Sequence, residues 1–221
     1  MNDNNLRIWL RYSKVGKMKY IGHLDLLKIF QTAIRRAKIP IAYSKGFNPH
    51  ERISFALPLP VGMESVCELC EIIVDNSYAK DMINALNAQL PQGLEITAVY
   101  EPLPGSPRIA ALVFAAYYSL GFPNMDNCGK YVSEILSTDE LNVVKKSKSS
   151  EREVNIRKDI ISLEYKETLL MRLSAGSAGH LSPLLIADIL FNKMRIAVEP
   201  YQTRVTRLEI YKNDLSPIYG L

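Results

Sequence analysis

Apolar and polar positions alternate over residues 6–12. Leu6, Ile8, Leu10 and Tyr12 share one face, and Arg7, Trp9 and Arg11 share the other. A period of two marks a strand covered on one side. After a basic turn over 13–20 the period becomes three and four. Leu26, Leu27, Phe30, Ala33, Ile34 and Ala37 form one stripe, and Asp25, Lys28, Thr32, Arg35 and Arg36 another. This predicts a helix over 23–38, stopped by Pro40. Residues 41–52, with Gly46, Asn48 and Pro49, read as an irregular loop. Strands over 53–59 and 68–74, a helix over 78–90 and a strand over 94–100 complete the order β-α-β-β-α-β.

Residues 101–108 hold three prolines and a glycine, and they mark a boundary. The same order then returns. Strands are predicted near 109–120, 155–166, 168–175 and 203–212, and helices near 126–137 and 182–194. Ser182-Pro183 suits the start of the last helix. The expected fold is α+β, built from two tandem ferredoxin-like units. These units are 1–100 and 109–221, joined by a linker at 101–108. A lysine- and serine-rich loop over 145–152 is inserted in the second.

Hydrophobic residues make up 48% of the 221 and charged residues 23%, proportions that a folded chain shares and a disordered one does not. No apolar run approaches the roughly 20 residues that cross a bilayer, and the polar first five residues lack a signal-peptide pattern. Three cysteines in a chain this long make no disulfide framework. The expected place is the cytoplasm, away from membranes.

Charge changes this picture more. Residues 1–52 hold eleven Lys/Arg against three Asp/Glu, while the remainder is net acidic. Such asymmetry points to an anionic partner near the N-terminal part, or to a solvated basic face. Trp9 lies between Arg7 and Arg11. On an open sheet face this trio would stack a base and meet phosphates, as single-stranded RNA is held; alternatively Trp9 fills a contact between the two units. Arg35, Arg36, Lys45, His50 and Arg52, with Phe47 and Asn48 among them, form a second basic segment suited to RNA. Cations at a helix end are also favoured by the dipole alone.

His23, Asp25 and His50 are the candidates for acid–base catalysis if they meet in a cleft. Asp25 in a first helical turn is also the expected dipole partner. Cys67 and Cys70 have zinc-like spacing, but residues three apart on a strand point to opposite faces, and Cys128 stands alone. No metal and no cofactor of the chain's own is expected.

Residues 20–25 (Tyr-Ile-Gly-His-Leu-Asp), 33–37 (Ala-Ile-Arg-Arg-Ala), 40–50 (Pro-Ile-Ala-Tyr-Ser-Lys-Gly-Phe-Asn-Pro-His) and 53–65 (Ile-Ser-Phe-Ala-Leu-Pro-Leu-Pro-Val-Gly-Met-Glu-Ser) together resemble a radical-SAM-linked bacterial family of unknown function. The resemblance is specific over 20–71 and looser after residue 100. Gly22 stands where a serine is expected and Lys45 where a glutamine is expected. The resemblance implies a radical-SAM protein as partner. The leading expectation is an accessory RNA-binding module for such an enzyme. An enzyme using His23, Asp25 and His50, or a purely protein-binding module, are the alternatives.

Overall fold

The computed structural model describes residues 5–75, 81–146, 151–177 and 179–219. These residues form an α+β fold with one large, mostly antiparallel sheet of eight strands, four α-helices and a separate two-stranded hairpin. None of the described helices is long and apolar enough to cross a membrane.

The first half runs β1 (Asn5–Lys14), α1 (His23–Arg36), β2 (Ile53–Phe55), β3 (Glu64–Asp75), α2 (Met82–Asn87) and β4 (Leu94–Tyr100). Its strand order is β4-β1-β3-β2, antiparallel throughout. The apolar stripe of α1 buries Leu26, Phe30, Ala33 and Ile34. They pack on Ile8, Leu10 and Tyr12 of β1 and on Cys70, Ile72 and Val74 of β3. The helix ends two residues earlier than Pro40 alone predicts. Lys38 takes a left-handed conformation, with φ 55°. Its N–H donates to Arg35 O, and Ile39 N–H donates to Ile34 O, the paired bonds that close a helix through a left-handed residue. Helix α2 is entered at Asp81, whose side chain accepts from Asn84 N–H. Residues 78–80 of the expected longer helix lie outside the described residues.

The second half runs β5 (Ala115–Gly121), α3 (Cys128–Leu136), β6 (Asn142–Lys146), β7 (Glu151–Asn155), β8 (Ile160–Tyr165), β9 (Leu169–Ser174), α4 (Pro183–Met194) and β10 (Arg204–Tyr211). Its order in the sheet is β10-β5-β9-β8. The strand expected from 109 begins at Ala115, because Ile109–Leu112 form a 3-10 turn. Where an inserted loop over 145–152 was expected, β6 and β7 pair as a hairpin with Val143 opposite Val154; residues 147–150 lie outside the described residues.

The two halves share the sheet. Strand β10 runs parallel to β3, with Thr206 beside Glu64 and Arg207 beside Ser65. The remaining edge of β3 pairs with β2 further along. The face of the first half that its helices leave free is covered by the second half. Trp9, Cys67 and Leu69 therefore belong to one core with Tyr118, Leu120, Val205 and Ile210. Polar groups are buried at this junction. Arg207 donates to Glu68 Oε1 at 2.7 Å, to Leu57 O at 3.0 Å and to Pro58 O at 3.3 Å. Lys14 is buried beside them and donates to Lys19 O.

Candidate nucleic-acid interface

The trio on β1 is not an open platform. Trp9 is only 1% exposed, and its indole Nε1–H donates to Glu71 Oε2 at 3.0 Å. A ring so enclosed has no face for a base, so the expectation that Trp9 stacks RNA is corrected. It fills the contact between the halves. Arg7 donates to the same carboxylate at 2.6 Å and to the carbonyls of Ser106 and Pro107. Arg108 donates to the other carboxylate oxygen of Glu71 at 2.7 Å. Burial alone would raise the Glu71 carboxyl, but the hydrogen bonds from Arg108, Arg7 and Trp9 hold it below its ordinary value. Arg11 reaches Glu209 at 3.4 Å and lies over the Tyr219 ring, which itself stacks on Tyr100. Arg7 and Arg11 are thus engaged within the chain, which corrects their assignment as phosphate contacts.

The second basic segment is arranged differently. Residues 44–50 form a closed loop. Ser44 N–H donates to His50 O, His50 N–H donates to Ser44 Oγ, and Ser44 Oγ lies 2.9 Å from His50 Nδ1. Its base is anchored to the sheet, since Ala42 N–H donates to Ile73 O and Arg52 N–H to Ala42 O. The five residues 45–49 are exposed, and Gly46 takes φ 128°, a conformation that glycine alone adopts freely. Phe47 at the tip is fully exposed, and Tyr43 at the base is half exposed. Burying the Phe47 ring would be worth about 1.5–3 kcal/mol, a gain left open to a partner at the loop tip.

Helix α1 is tied to this loop through Gln31, whose Nε2–H donates to Glu51 Oε2 at 2.9 Å. Arg35, one turn beyond, lies on the same helix face and donates to Gln31 O. A recess of 220 Å³ opens at the loop base, lined by Ser44, His50, Arg52, Glu71 and Arg108. Lys38, Lys45 and Arg52 have no ion-pair partner within 4 Å among the described residues. Arg36 does not join this group. It lines a different groove with Lys28, Thr32 and residues 88–91. Asn48 is exposed at the tip. Arg108 was missed by sequence reading because it sits in the proline-rich joint, and its only signal there was a charge after Pro107.

His23, Asp25 and His50 each have separate partners. The His23 ring meets Phe55 edge-on at 5.2 Å, within an aromatic cluster completed by Tyr12 and Phe30. Asp25 pairs with Lys28 at 3.7 Å, and His50 with Ser44. No contact joins any two of the three among the described residues, so the structure does not assemble them as a site. Nor do the described residues include a group of three His, Cys, Asp or Glu side chains placed to hold a metal ion. Cys67 and Cys70 lie in the two different cores, on opposite faces of β3, and cannot share a metal.

No curated protein matches the chain. One family model does, over residues 7–183, described as an uncharacterized protein conserved in bacteria. That match covers the strands from β1 to β9 and every residue of the exposed loop, stopping where α4 begins, and the chain belongs to the DUF2344 family.

Proposed function

We propose that the chain binds single-stranded RNA through the 44–50 loop and the adjoining end of α1. It does so in the bacterial cytoplasm as an accessory to a radical-SAM enzyme, the partner that the sequence resemblance implies. The observation that carries the RNA reading is the fully exposed Phe47 ring at the tip of a basic loop. Such a ring offers both faces to a base, and stacking on it is sequence-tolerant. Lys45 flanks it, and His50 and Arg52 line a recess at its foot, in which Glu71 is already neutralised by Arg108. Arg35 extends the charge along α1. We also read each half as a ferredoxin-like unit, with 101–108 as the joint. The orders β4-β1-β3-β2 and β10-β5-β9-β8 support this.

Fluorescence anisotropy with a labelled oligouridine tests the reading. Phe47→Ala should weaken binding by about 1–3 kcal/mol, the range for one base–aromatic stack. Arg52→Ala should lower the salt slope by about 0.7 if it meets one phosphate. Neither substitution touches a core residue, so the melting temperature should hold. Binding and salt slope identical to the parent in both variants would refute the proposal.

A further inference from the structure

A second cleft lies where the two halves meet. Its chamber measures 480 Å³, within the roughly 300–1,000 Å³ typical of small-molecule sites. Aromatic rings enter from three elements. Tyr20 ends the 3-10 turn Gly16–Tyr20, Tyr201 sits in the 3-10 turn Pro200–Gln202, and Phe191 comes from α4. The tyrosines are 65% and 80% exposed, yet the backbone beneath each is held. Ile21 N–H donates to Met18 O, and Glu199 and Gln202 cap one another's backbone. Phe191 is fixed edge-on against Phe122. Between them, Gly62 N–H donates to Lys19 O at 2.8 Å, and Gly62 takes φ 91° in the turn that Met63 N–H closes onto Pro60 O.

The polar groups are arranged in two sets. Asp188 and Thr203 line the chamber. A smaller recess of 250 Å³ adjoins it, sharing Lys19, Gly62 and Val205 and adding Arg204 and Glu64. Asp188 and Arg204 have no ion-pair partner within 4 Å among the described residues. The Lys19 ammonium stands 5.3 Å from the Tyr20 ring centre, and Glu64 Oε1 accepts from Gly16 N–H at 2.9 Å.

We infer that this cleft binds a nucleoside monophosphate unit, with the base among Tyr20, Phe191 and Tyr201 and the phosphate beside Lys19 and Arg204. A purely apolar guest would strip water from the Asp188 carboxylate without replacing its hydrogen bonds. A simple cation would suit Asp188 but would face Lys19 and Arg204. A nucleotide answers both ends, since its base edge donates N–H groups while its phosphate is anionic. Guanine suits one carboxylate best, because its N1–H and N2–H donors are adjacent and form a bidentate pair. None of the residues 35–52 lines this cleft, so the inference stands apart from the RNA-binding loop.

The test is isothermal titration of the full chain with GMP, UMP, guanosine and 1-naphthyl phosphate. One GMP per chain is expected, with UMP and naphthyl phosphate weaker. Asp188→Asn should erase most of the preference for GMP over UMP, about tenfold for the loss of charge-assisted hydrogen bonds. Arg204→Ala should weaken GMP about tenfold while leaving guanosine unchanged. Both side chains are exposed, and an unchanged melting temperature verifies folding. Phe47→Ala should leave GMP binding intact even where it abolishes oligouridine binding. Competition by an oligonucleotide ending in guanosine phosphate assigns the unit to an RNA end, and its absence assigns it to a free nucleotide. Failure of the parent to bind GMP at millimolar concentration would overturn the inference. So would naphthyl phosphate binding as tightly as GMP, or an Asp188→Asn variant with unchanged base preference.

Discussion

Removing Arg207 should loosen the junction between the halves. The guanidinium is fully buried and carries the short bond to Glu68 as well as bonds to two backbone carbonyls. Arg207→Ala leaves a carboxylate with 2% exposure and no cation beside Oε1. Breaking a buried pair by removing one partner costs about 3–5 kcal/mol, because the remaining charge stays in the core. Carbonyls left without a donor add to that penalty. At a urea slope of about 2–3 kcal/mol per molar, the unfolding midpoint should fall by roughly 1–2.5 M. Replacing both partners, as Arg207→Leu with Glu68→Leu, removes the stranded charge. It should recover most of the loss, since apolar replacement of a whole buried pair is often neutral. Urea titrations followed by Trp9 fluorescence measure all three proteins, because Trp9 sits in the same core. If Arg207→Ala unfolds at the parent's midpoint, or if the double variant is no better than the single, the pair does not hold the halves together as argued.

Other consequences are open to direct measurement. The three thiols should stay unreactive toward a disulfide reagent in the native chain and all react in urea, because each is buried and burial pushes Cys67, Cys70 and Cys128 up, the last to about 11. The Glu71 carboxyl is depressed in the folded chain, so its contribution is complete above the ordinary value of 4.5 and is lost as pH falls through the folded value. Denaturation of parent and Glu71→Gln should therefore differ most above pH 4.5 and converge in acid. Lys38→Gly relieves a left-handed lysine: about 1–2 kcal/mol of strain is removed against about 0.5–1 kcal/mol of added chain entropy, so thermal denaturation should show a small net stabilisation. Trp9 emission should be unmoved by added oligouridine, whereas a tryptophan placed at position 47 should be quenched.

Much of the architecture is visible in local periodicity. The alternation on β1 and the stripe on α1 place Leu10, Phe30 and Ile34 in one core, and the cysteines of β3 fall on opposite faces as a period of two requires. What is not visible depends on distant partners. Arg7 and Arg11 look solvated from their neighbours, but Glu71 and Glu209 neutralise them from 64 and 198 residues away. The face carrying Trp9 therefore reads equally as open or as a contact between the units, and the second half covers it. Alternation alone starts β3 at 68, because Glu64 and Ser65 resemble a loop; β10 pairs with both, and Arg207 makes the burial of Glu68 tolerable. The hairpin of β6 and β7 was hidden by its charges, which obscure the alternation around Val143 and Val154. At the basic loop, residue types indicated Phe47 and Arg52, but only the fold separates Arg36 from them and brings in Arg108.

The parallel pairing of β10 with β3 has a consequence for biosynthesis. Strand β3 is complete by residue 75, yet its neighbour is supplied by residues 204–211. At about 5–20 residues per second, the first half waits on the order of 6–26 s after β3 for that strand to be translated. Throughout that interval the Trp9, Cys67 and Leu69 face lacks the part of its cover that Val205 and Ile210 supply, and the free margin of β3 near Glu64 lacks a strand. A nascent chain in this condition is a substrate for chaperones and for mispairing between neighbouring ribosomes on one message. Interruption of translation before residue 204 should accordingly yield aggregating fragments rather than a soluble first half.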